Sequence, residues 1–245
     1  MMQTRIFQHT DDLTAALVDL LAHHFKLALP VPHAVLLPGG RTPRGAYQQI
    51  AQKPCPVDGN THILLSDERL APIRSPESNY GQLRPMLKVL RIPAAHILRV
   101  DTRQTLALAA LYFDDGLRAF FKRKGRITLG VLGLGADGHT ASLFSMQDIA
   151  RGRGAYAMAV PRKPGPDRIS VTADLLAKAE RVVFVAAGAE KRLVVERMRV
   201  VSTTNVVSTT NVASTTHVAR DTLPAGLATA GVADVQVWFA EDGAE

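Results

Sequence analysis

Apolar residues follow two patterns along this chain: short continuous runs, and longer stretches in which they recur every three or four positions. The continuous runs predict buried strands at residues 33–38, 61–66, 96–100, 126–133, 181–187 and 235–239. The helical spacing predicts helices at residues 10–27, from 42 onward, near 83–90, over 103–124 and over 190–198. Strands and helices therefore alternate, which predicts an α/β fold with a mainly parallel, Rossmann-like sheet and helices on both faces.

One segment interrupts this alternation. Residues 200–205, 206–211 and 212–217 are three copies of a six-residue unit with the sequence V-V/A-S-T-T-N/H. Three copies are too few for a β-helix, and the unit has little helix propensity. We expect residues 1–245 to form one α/β domain, with an inserted, tandemly duplicated surface loop at about 200–218. An edge hairpin, a disordered insertion and a lid over a ligand are the alternatives.

The positive charge balance suits an anionic small-molecule ligand, and surface charge that serves only solubility is the alternative. The chain has 29 Lys and Arg against 22 Asp and Glu, a net charge of +7. The basic residues are scattered, only 122–124 are contiguous, and aromatic residues make up 5% of the chain, so no basic stripe with stacking aromatics is visible. We therefore expect no nucleic-acid partner.

Cysteine content and apolar run length predict a cytoplasmic location. The single cysteine, Cys55, has no partner for an internal disulfide, and the first 13 residues lack a long apolar stretch. The longest apolar runs fall far short of the ~20 residues that a membrane-spanning helix needs. We expect no membrane association, and a monomer or a small homo-oligomer.

A glycine turn follows the first predicted strand. Gly39 and Gly40 are followed by Arg41, Thr42 and a helical stretch. The N–H groups of such a turn and the positive end of the helix can hold a phosphate, with the Thr42 hydroxyl as a further donor. A tight strand-to-helix turn without a ligand is the alternative.

Charged and polar side chains follow the second predicted strand. Asp67, Glu68 and Arg69 come directly after it, and Asn79 lies in a later loop. Ligands of parallel sheets bind at the carboxyl ends of the strands, so these residues are candidates for contact with a ligand. A solvated charge cluster and a capped turn are the alternatives.

The most informative stretch is 132–142, where an apolar strand runs into three glycines. Gly138 lies between Asp137 and His139. A histidine in such a loop can act as a general base at neutral pH, and a nearby carboxylate can fix its tautomer. The stretch has no second His or Cys at ligand spacing, so we predict no metal. A histidine bonded only to the loop backbone is the alternative.

Two further cations lie near predicted element ends. They are Arg168, in the sequence R-I-S-V-T, and Lys191, in the sequence G-A-E-K. Together with the loop at Gly39 and Gly40 they can enclose a dianionic phosphate. Ordinary surface charge is the alternative.

Taken in order, these blocks resemble the 6-phosphogluconolactonase family, whose relatives include the glucosamine-6-phosphate deaminases. The resemblance spans most of the chain. The matching pieces are 39–43, 67–69, 78–80, 133–144, 168–172, 188–191 and 223–224.

The resemblance implies hydrolysis of 6-phospho-D-glucono-1,5-lactone to 6-phosphogluconate, the second step of the oxidative pentose phosphate pathway, without a cofactor. It implies that His139 deprotonates the attacking water, that Asp137 orients His139, and that Arg69 positions the sugar or stabilises the oxyanion. The implied substrate- and phosphate-binding residues are Gly39, Gly40, Arg41, Thr42, Asp67, Glu68, Asn79, Gly138, Arg168 and Lys191.

Two alternatives accompany this resemblance. A deaminase would call for a glutamate a few residues after the motif histidine, and 140–147 contains no acid. A catalytically inactive sugar-phosphate binding protein could keep the glycine loop and the cations, but retention of His139 and Asp137 argues against it. Pro38, Arg41 and Ser145 depart from the residues that are usual in the family.

Overall fold

A computed structural model describes residues 2–199 and 222–242. Most of the chain that the sequence patterns assign to strands and helices falls within these ranges. The repeat-containing segment predicted as a surface loop at 200–218 lies outside the described residues.

In residues 2–199 and 222–242, ten strands form two sheets. Their bounds are β1 (Gln3–Phe7), β2 (His33–Leu37), β3 (Thr61–Leu65), β4 (Asp67–Arg69), β5 (Ile97–Leu98), β6 (Arg126–Gly133), β7 (Ala157–Val160), β8 (Arg168–Val171), β9 (Arg181–Ala187) and β10 (Asp234–Ala240). The larger sheet has the order β1-β10-β9-β6-β2-β3-β5, and all its pairings are parallel. The smaller sheet is antiparallel, with the order β4-β8-β7.

Helices cover both faces of the parallel sheet. Their bounds are α1 (Thr10–Phe25), α2 (Arg41–Gln52), α3 (Asn79–Val89), α4 (Leu106–Lys122), α5 (Met146–Arg151), α6 (Ala173–Leu176), α7 (Arg192–Arg199) and α8 (Pro224–Ala228). One hydrophobic core lies on the face covered by α1, α2 and α3, and a second lies on the face covered by α4. The central strands are buried on both faces, which explains why they appear in the sequence as continuous apolar runs.

The predicted parallel sheet with helices on both faces is confirmed, and each of the six predicted strands is present. The sequence patterns missed β1 because it is an edge strand with mostly exposed side chains. They also missed the antiparallel sheet, because β4 consists of three charged residues and carries no apolar signal. Thr10 is the first residue of α1, and its hydroxyl donates to the Asp242 carboxylate at 2.6 Å.

The chain order places a crevice at the centre of the parallel sheet. After β2, the chain adds β3 and β5 on one side, then returns to add β6, β9 and β10 on the other. Loops leaving β2 and β6 therefore diverge at a topological switch point, where α/β proteins bind ligands.

In the described residues, no helix combines the length and apolar character that crossing a bilayer requires.

Candidate active site

A cleft of about 340 Å³ opens at this switch point. It is lined by the loop after β2, by β4, by the start of α3, by the loop after β6, and by the end of β9 with the turn that follows it. Three neighbouring strands of the parallel sheet, β9, β6 and β2, and one strand of the smaller sheet thus contribute to one site. The predicted residues that line it are Gly39, Gly40, Arg41, Thr42, Asp67, Arg69, Asn79, His139 and Lys191.

The loop after β2 forms one wall of the cleft and leads into the N-terminus of α2. Gly40 precedes the helix with a φ of 107°, a conformation that side chains other than glycine rarely adopt. A Cβ at Gly39 would collide with the side-chain oxygen of Asn79. The first helical residues, Arg41 and Thr42, face the cleft, so the positive end of the helix dipole points at it.

Asp67 ties three parts of the site together. Its carboxylate accepts hydrogen bonds from the hydroxyls of Ser66 at 3.0 Å and Ser142 at 2.7 Å, and from the side-chain amide of Asn79 at 3.0 Å. Asp67 is buried, so these bonds replace the water that its charge would otherwise require. The network fixes β4, the start of α3 and the loop after β6 relative to one another.

Glu68 points away from the cleft. Its carboxylate accepts backbone N–H groups of Arg69 at 2.8 Å, Asn79 at 2.7 Å and Tyr80 at 2.8 Å, and the Ser78 hydroxyl at 3.1 Å. Burial raises the pKa of Glu68, and these bonds oppose that shift. Its oxygens are occupied by the protein, so the geometry gives Glu68 a scaffold position rather than the predicted contact with substrate.

His139 and Asp137 form a pair at the mouth of the cleft. The carboxylate of Asp137 lies 2.5 Å from Nδ1 of His139 and also accepts the His139 backbone N–H at 3.2 Å. Burial alone would raise the pKa of Asp137. The hydrogen bond from His139 and the electrostatic interaction with the imidazole outweigh burial and hold the pKa of Asp137 below its usual value. A Cβ at Gly135 would collide with the imidazole, so the ring needs a glycine beneath it.

Gly138 shapes the turn between these two residues. Its φ is 88°, and a Cβ there would lie 2.5 Å from the side chain of Leu223. Its carbonyl accepts the N–H of Ala225 at 2.9 Å, which docks the loop on the start of α8. Gly138 lies outside the cleft lining, and its contacts are those of a turn residue.

Arginine side chains lie on one face of the small sheet next to the cleft. Arg69 on β4 is paired in register with Arg168 on β8. The Arg69 guanidinium donates to the Glu77 carbonyl at 2.7 Å. Two other guanidinium atoms, Nε of Arg69 and Nη1 of Arg168, are buried without a hydrogen-bond partner among the described residues. Burial and the neighbouring Arg69 lower the pKa of Arg168. Such a pair of cations suits an anion that accepts their free N–H groups.

Lys191 lies across the cleft from the glycine loop, in the turn after β9. Gly188 opens that turn with a φ of 102°. Lys191 makes no ion pair within the described ranges. Glu190 also lines the cleft, and no motif in the sequence distinguishes this residue from an ordinary surface acid.

Four predicted residues lie outside the cleft lining: Asp137, Glu68, Gly138 and Arg168. Asp137 reaches the site through His139, and Arg168 lies behind Arg69. In the part of the chain that is described, no three His, Cys, Asp or Glu side chains are grouped so that they could hold a metal.

Fold and site together define the class: a doubly wound α/β protein with a cleft at the switch point that is lined by a glycine loop, by cationic side chains and by the histidine of a His–Asp pair. A family model for glucosamine-6-phosphate isomerases/6-phosphogluconolactonase matches residues 8–221. The chain therefore belongs to this family.

Named relatives resemble the chain along most of its length. The 6-phosphogluconolactonase of Haemophilus influenzae is 31% identical over 188 residues, which are 74% of this chain and 81% of that protein. A crystal structure named devB protein superposes with a TM-score of 0.77 at 26% identity and covers 98% of this chain and 97% of that one. The 6-phosphogluconolactonase of Thermotoga maritima shares the fold, with a TM-score of 0.73, 23% identity and coverage of 98% and 100%.

Proposed function

We propose that this chain is a 6-phosphogluconolactonase, which hydrolyses 6-phospho-D-glucono-1,5-lactone to 6-phospho-D-gluconate in the second step of the oxidative pentose phosphate pathway. Curated relatives from bacteria and from human carry that name. The observation that carries the proposal is the His139–Asp137 pair at a cleft that is also lined by the glycine loop before α2.

His139 acts as the general base. Asp137 holds Nδ1, which leaves Nε2 free to accept a proton from water. As the proton moves to Nε2, the water oxygen forms a bond to the lactone carbonyl carbon and the carbonyl oxygen becomes an oxyanion. When the oxyanion collapses, the bond from this carbon to the ring oxygen breaks, and the proton held by His139 passes to that oxygen. Water is consumed, and no cofactor is needed to balance the reaction.

Cations and backbone donors hold the 6-phosphate at the other end of the cleft. Gly39, Gly40 and Thr42 offer N–H groups and a hydroxyl at the helix N-terminus, while Lys191 and Arg41 supply charge. Arg168 adds positive charge beside Arg69, at the edge of the cleft lining. Anchoring the phosphate converts the attack into a step between positioned groups, which raises its rate.

Arg69 and Asn79 act on the sugar. Nε of Arg69 and Oδ1 of Asn79 are buried without a hydrogen-bond partner in the described residues, and both side chains line the cleft. Because both side chains line the cleft, Arg69 can donate to the oxyanion or position the sugar ring, and Asn79 can contact a sugar hydroxyl. The site thus takes a small sugar-phosphate lactone, and we extend the proposal to a cytoplasmic enzyme that works as a monomer or a small homo-oligomer.

Substrate selectivity tests this proposal. The purified protein is given freshly generated 6-phosphogluconolactone and, in parallel, glucosamine 6-phosphate. We expect the lactone to disappear faster than it does spontaneously, and no ammonia from the amino sugar. Ammonia release would move the assignment to the deaminases, and binding of 6-phosphogluconate without any acceleration would indicate an inactive binding protein.

A further inference from the structure

A second cavity lies beside the catalytic cleft and shares no lining residue with it. Its volume is about 470 Å³, and it is formed by the loop at 73–76, by Arg44 on α2, and by Gly81, Gln82 and Arg84 on α3. None of its side chains takes part in the proposed hydrolysis. A ligand there would be separate from the substrate.

Three exposed arginines line this cavity, and no acidic residue lines it with them. They are Arg44, Arg74 and Arg84. Within the described ranges none of the three forms an ion pair. Arginines elsewhere in the molecule do so, for example Arg118 with Asp114 at 2.6 Å. Glu77 follows this loop in sequence, but it lies outside the lining and its charge acts on Arg168.

The frame that carries these arginines is fixed. The side-chain amide of Gln82 donates to the Pro76 carbonyl at 3.3 Å and accepts the Gly40 N–H at 3.0 Å, which joins the loop at 73–76 to the glycine loop of the cleft. A Cβ at Gly81 would lie 2.5 Å from the Ile73 carbonyl, so only glycine allows this approach of loop and helix.

We propose that this cavity is a second anion-binding site, which takes a small polyanion of the phosphate class, such as a short polyphosphate or a metabolite with two phosphate groups. Guanidinium groups present paired N–H donors that match phosphate oxygens and keep their charge at every physiological pH. Three guanidinium groups carry three positive charges, which exceed the negative charge of a single phosphate monoester.

Calorimetric titration with inorganic pyrophosphate tests the proposal. The full chain is compared with the Arg74→Gln/Arg84→Gln variant and with Arg153→Gln, which removes an exposed arginine outside both cavities. The cleft can also bind pyrophosphate, so the readout is the number of equivalents bound per chain together with their affinity. We expect Arg74→Gln/Arg84→Gln to lose one equivalent, or to bind it at least about tenfold more weakly, while Arg153→Gln matches the unmodified chain.

Identical isotherms for the double variant and Arg153→Gln would overturn the site. The replaced side chains are exposed and carry no hydrogen bond in the described part of the chain, so both variants are expected to fold. The single variants Arg74→Gln and Arg84→Gln provide a second comparison. Binding is measured without turnover. Absence of lactonase activity would therefore leave this result intact, and the two proposals can fail separately.

Discussion

His139 is held by residues close to it in the chain. Asp137 bonds its ring nitrogen, Gly135 leaves room beneath the imidazole, and the Phe144 ring packs against it with centroids 4.7 Å apart. All of these lie in one loop, so the sequence could indicate the pair without knowledge of the fold. Arg69 lies on β4 of the smaller sheet and Lys191 lies in the turn after β9, so only the tertiary fold brings them to the same cleft.

Replacement of Asp137 by Asn tests how His139 is oriented. The amide keeps the size of the carboxylate but can present a donor to Nδ1, which favours the wrong tautomer for a base at Nε2. We expect kcat to fall about 10²- to 10⁴-fold with little change in KM. Steady-state kinetics of Asp137→Asn are compared with those of Asp19→Asn, a control at an exposed position. An unchanged kcat in Asp137→Asn would contradict the orienting role.

Lys191→Gln tests phosphate binding. Loss of a charge-assisted hydrogen bond to the substrate is expected to raise KM about 10- to 100-fold while kcat stays close to that of the parent. Lys178→Gln removes an exposed lysine outside the cleft and serves as the control. If KM rises no more in Lys191→Gln than in the control, Lys191 does not contact the phosphate.

Glu68 shows what sequence reasoning at this scale could not resolve. Three consecutive charged residues follow β3, and alternation along β4 turns Asp67 and Arg69 toward the cleft and Glu68 to the other side. That alternation depends on pairing with β8, which the patterns did not predict. The sequence indicated that Glu68 has a role, but it did not indicate the direction in which the side chain points.

Glu68→Gln is therefore expected to act on stability. The amide cannot accept all the N–H and hydroxyl groups that Glu68 accepts, so at least one buried donor loses its partner. We expect the free energy of unfolding to fall by about 1–3 kcal/mol. Denaturant unfolding measures this loss of stability, and Glu77→Gln, at an exposed position, is the control. Equal stability of the two variants would show that the hydrogen bonds of Glu68 contribute little.

At the scale of elements, the positions of the central strands followed from the continuous apolar runs, because these strands are buried on both faces, and their alternation with helices indicated a parallel sheet. The antiparallel sheet escaped this reasoning. Its strands are three and four residues long, and β4 carries only charged side chains. Pairing of β4 with β8 places Arg168 beside Arg69, so the missed sheet is also the part of the fold that completes the cationic side of the site.

Packing of α1 on β6 makes the fold sensitive to acid. His24 on α1 is buried and bonds the Thr128 hydroxyl at 3.2 Å. Burial, followed by the charges of His23, Arg181 and His33, lowers the pKa of His24 to about 4. The unfolded chain binds this proton near pH 6.5, so stability is retained above that pH and is lost as the pH falls from about 6.5 to about 4.

His24→Gln should remove this dependence. Between pH 7 and pH 5 the parent is expected to lose about 2 kcal/mol more stability than His24→Gln. Denaturant unfolding at the two pH values measures the difference, and His9→Gln, at an exposed histidine, should behave like the parent. Equal losses in His24→Gln and the parent would assign the acid sensitivity to other groups.

For the whole molecule, the net charge of +7 indicated an anionic ligand but not where it binds. The structure gathers Arg41, Arg69 and Lys191 around the cleft and three further arginines around the neighbouring cavity. Such grouping depends on long-range chain order, which periodicity cannot supply. The expectation that 200–218 is an inserted loop stays a prediction.

Hydrolysis of freshly generated 6-phosphogluconolactone by the parent and by His139→Ala, each corrected for spontaneous hydrolysis, tests the central claim most directly. We predict that the parent accelerates the reaction and that His139→Ala, with the same thermal stability and the same affinity for 6-phosphogluconate, loses about 10²- to 10⁴-fold in kcat. Equal acceleration by the two proteins would contradict the account, because the water would then be activated by a group other than His139.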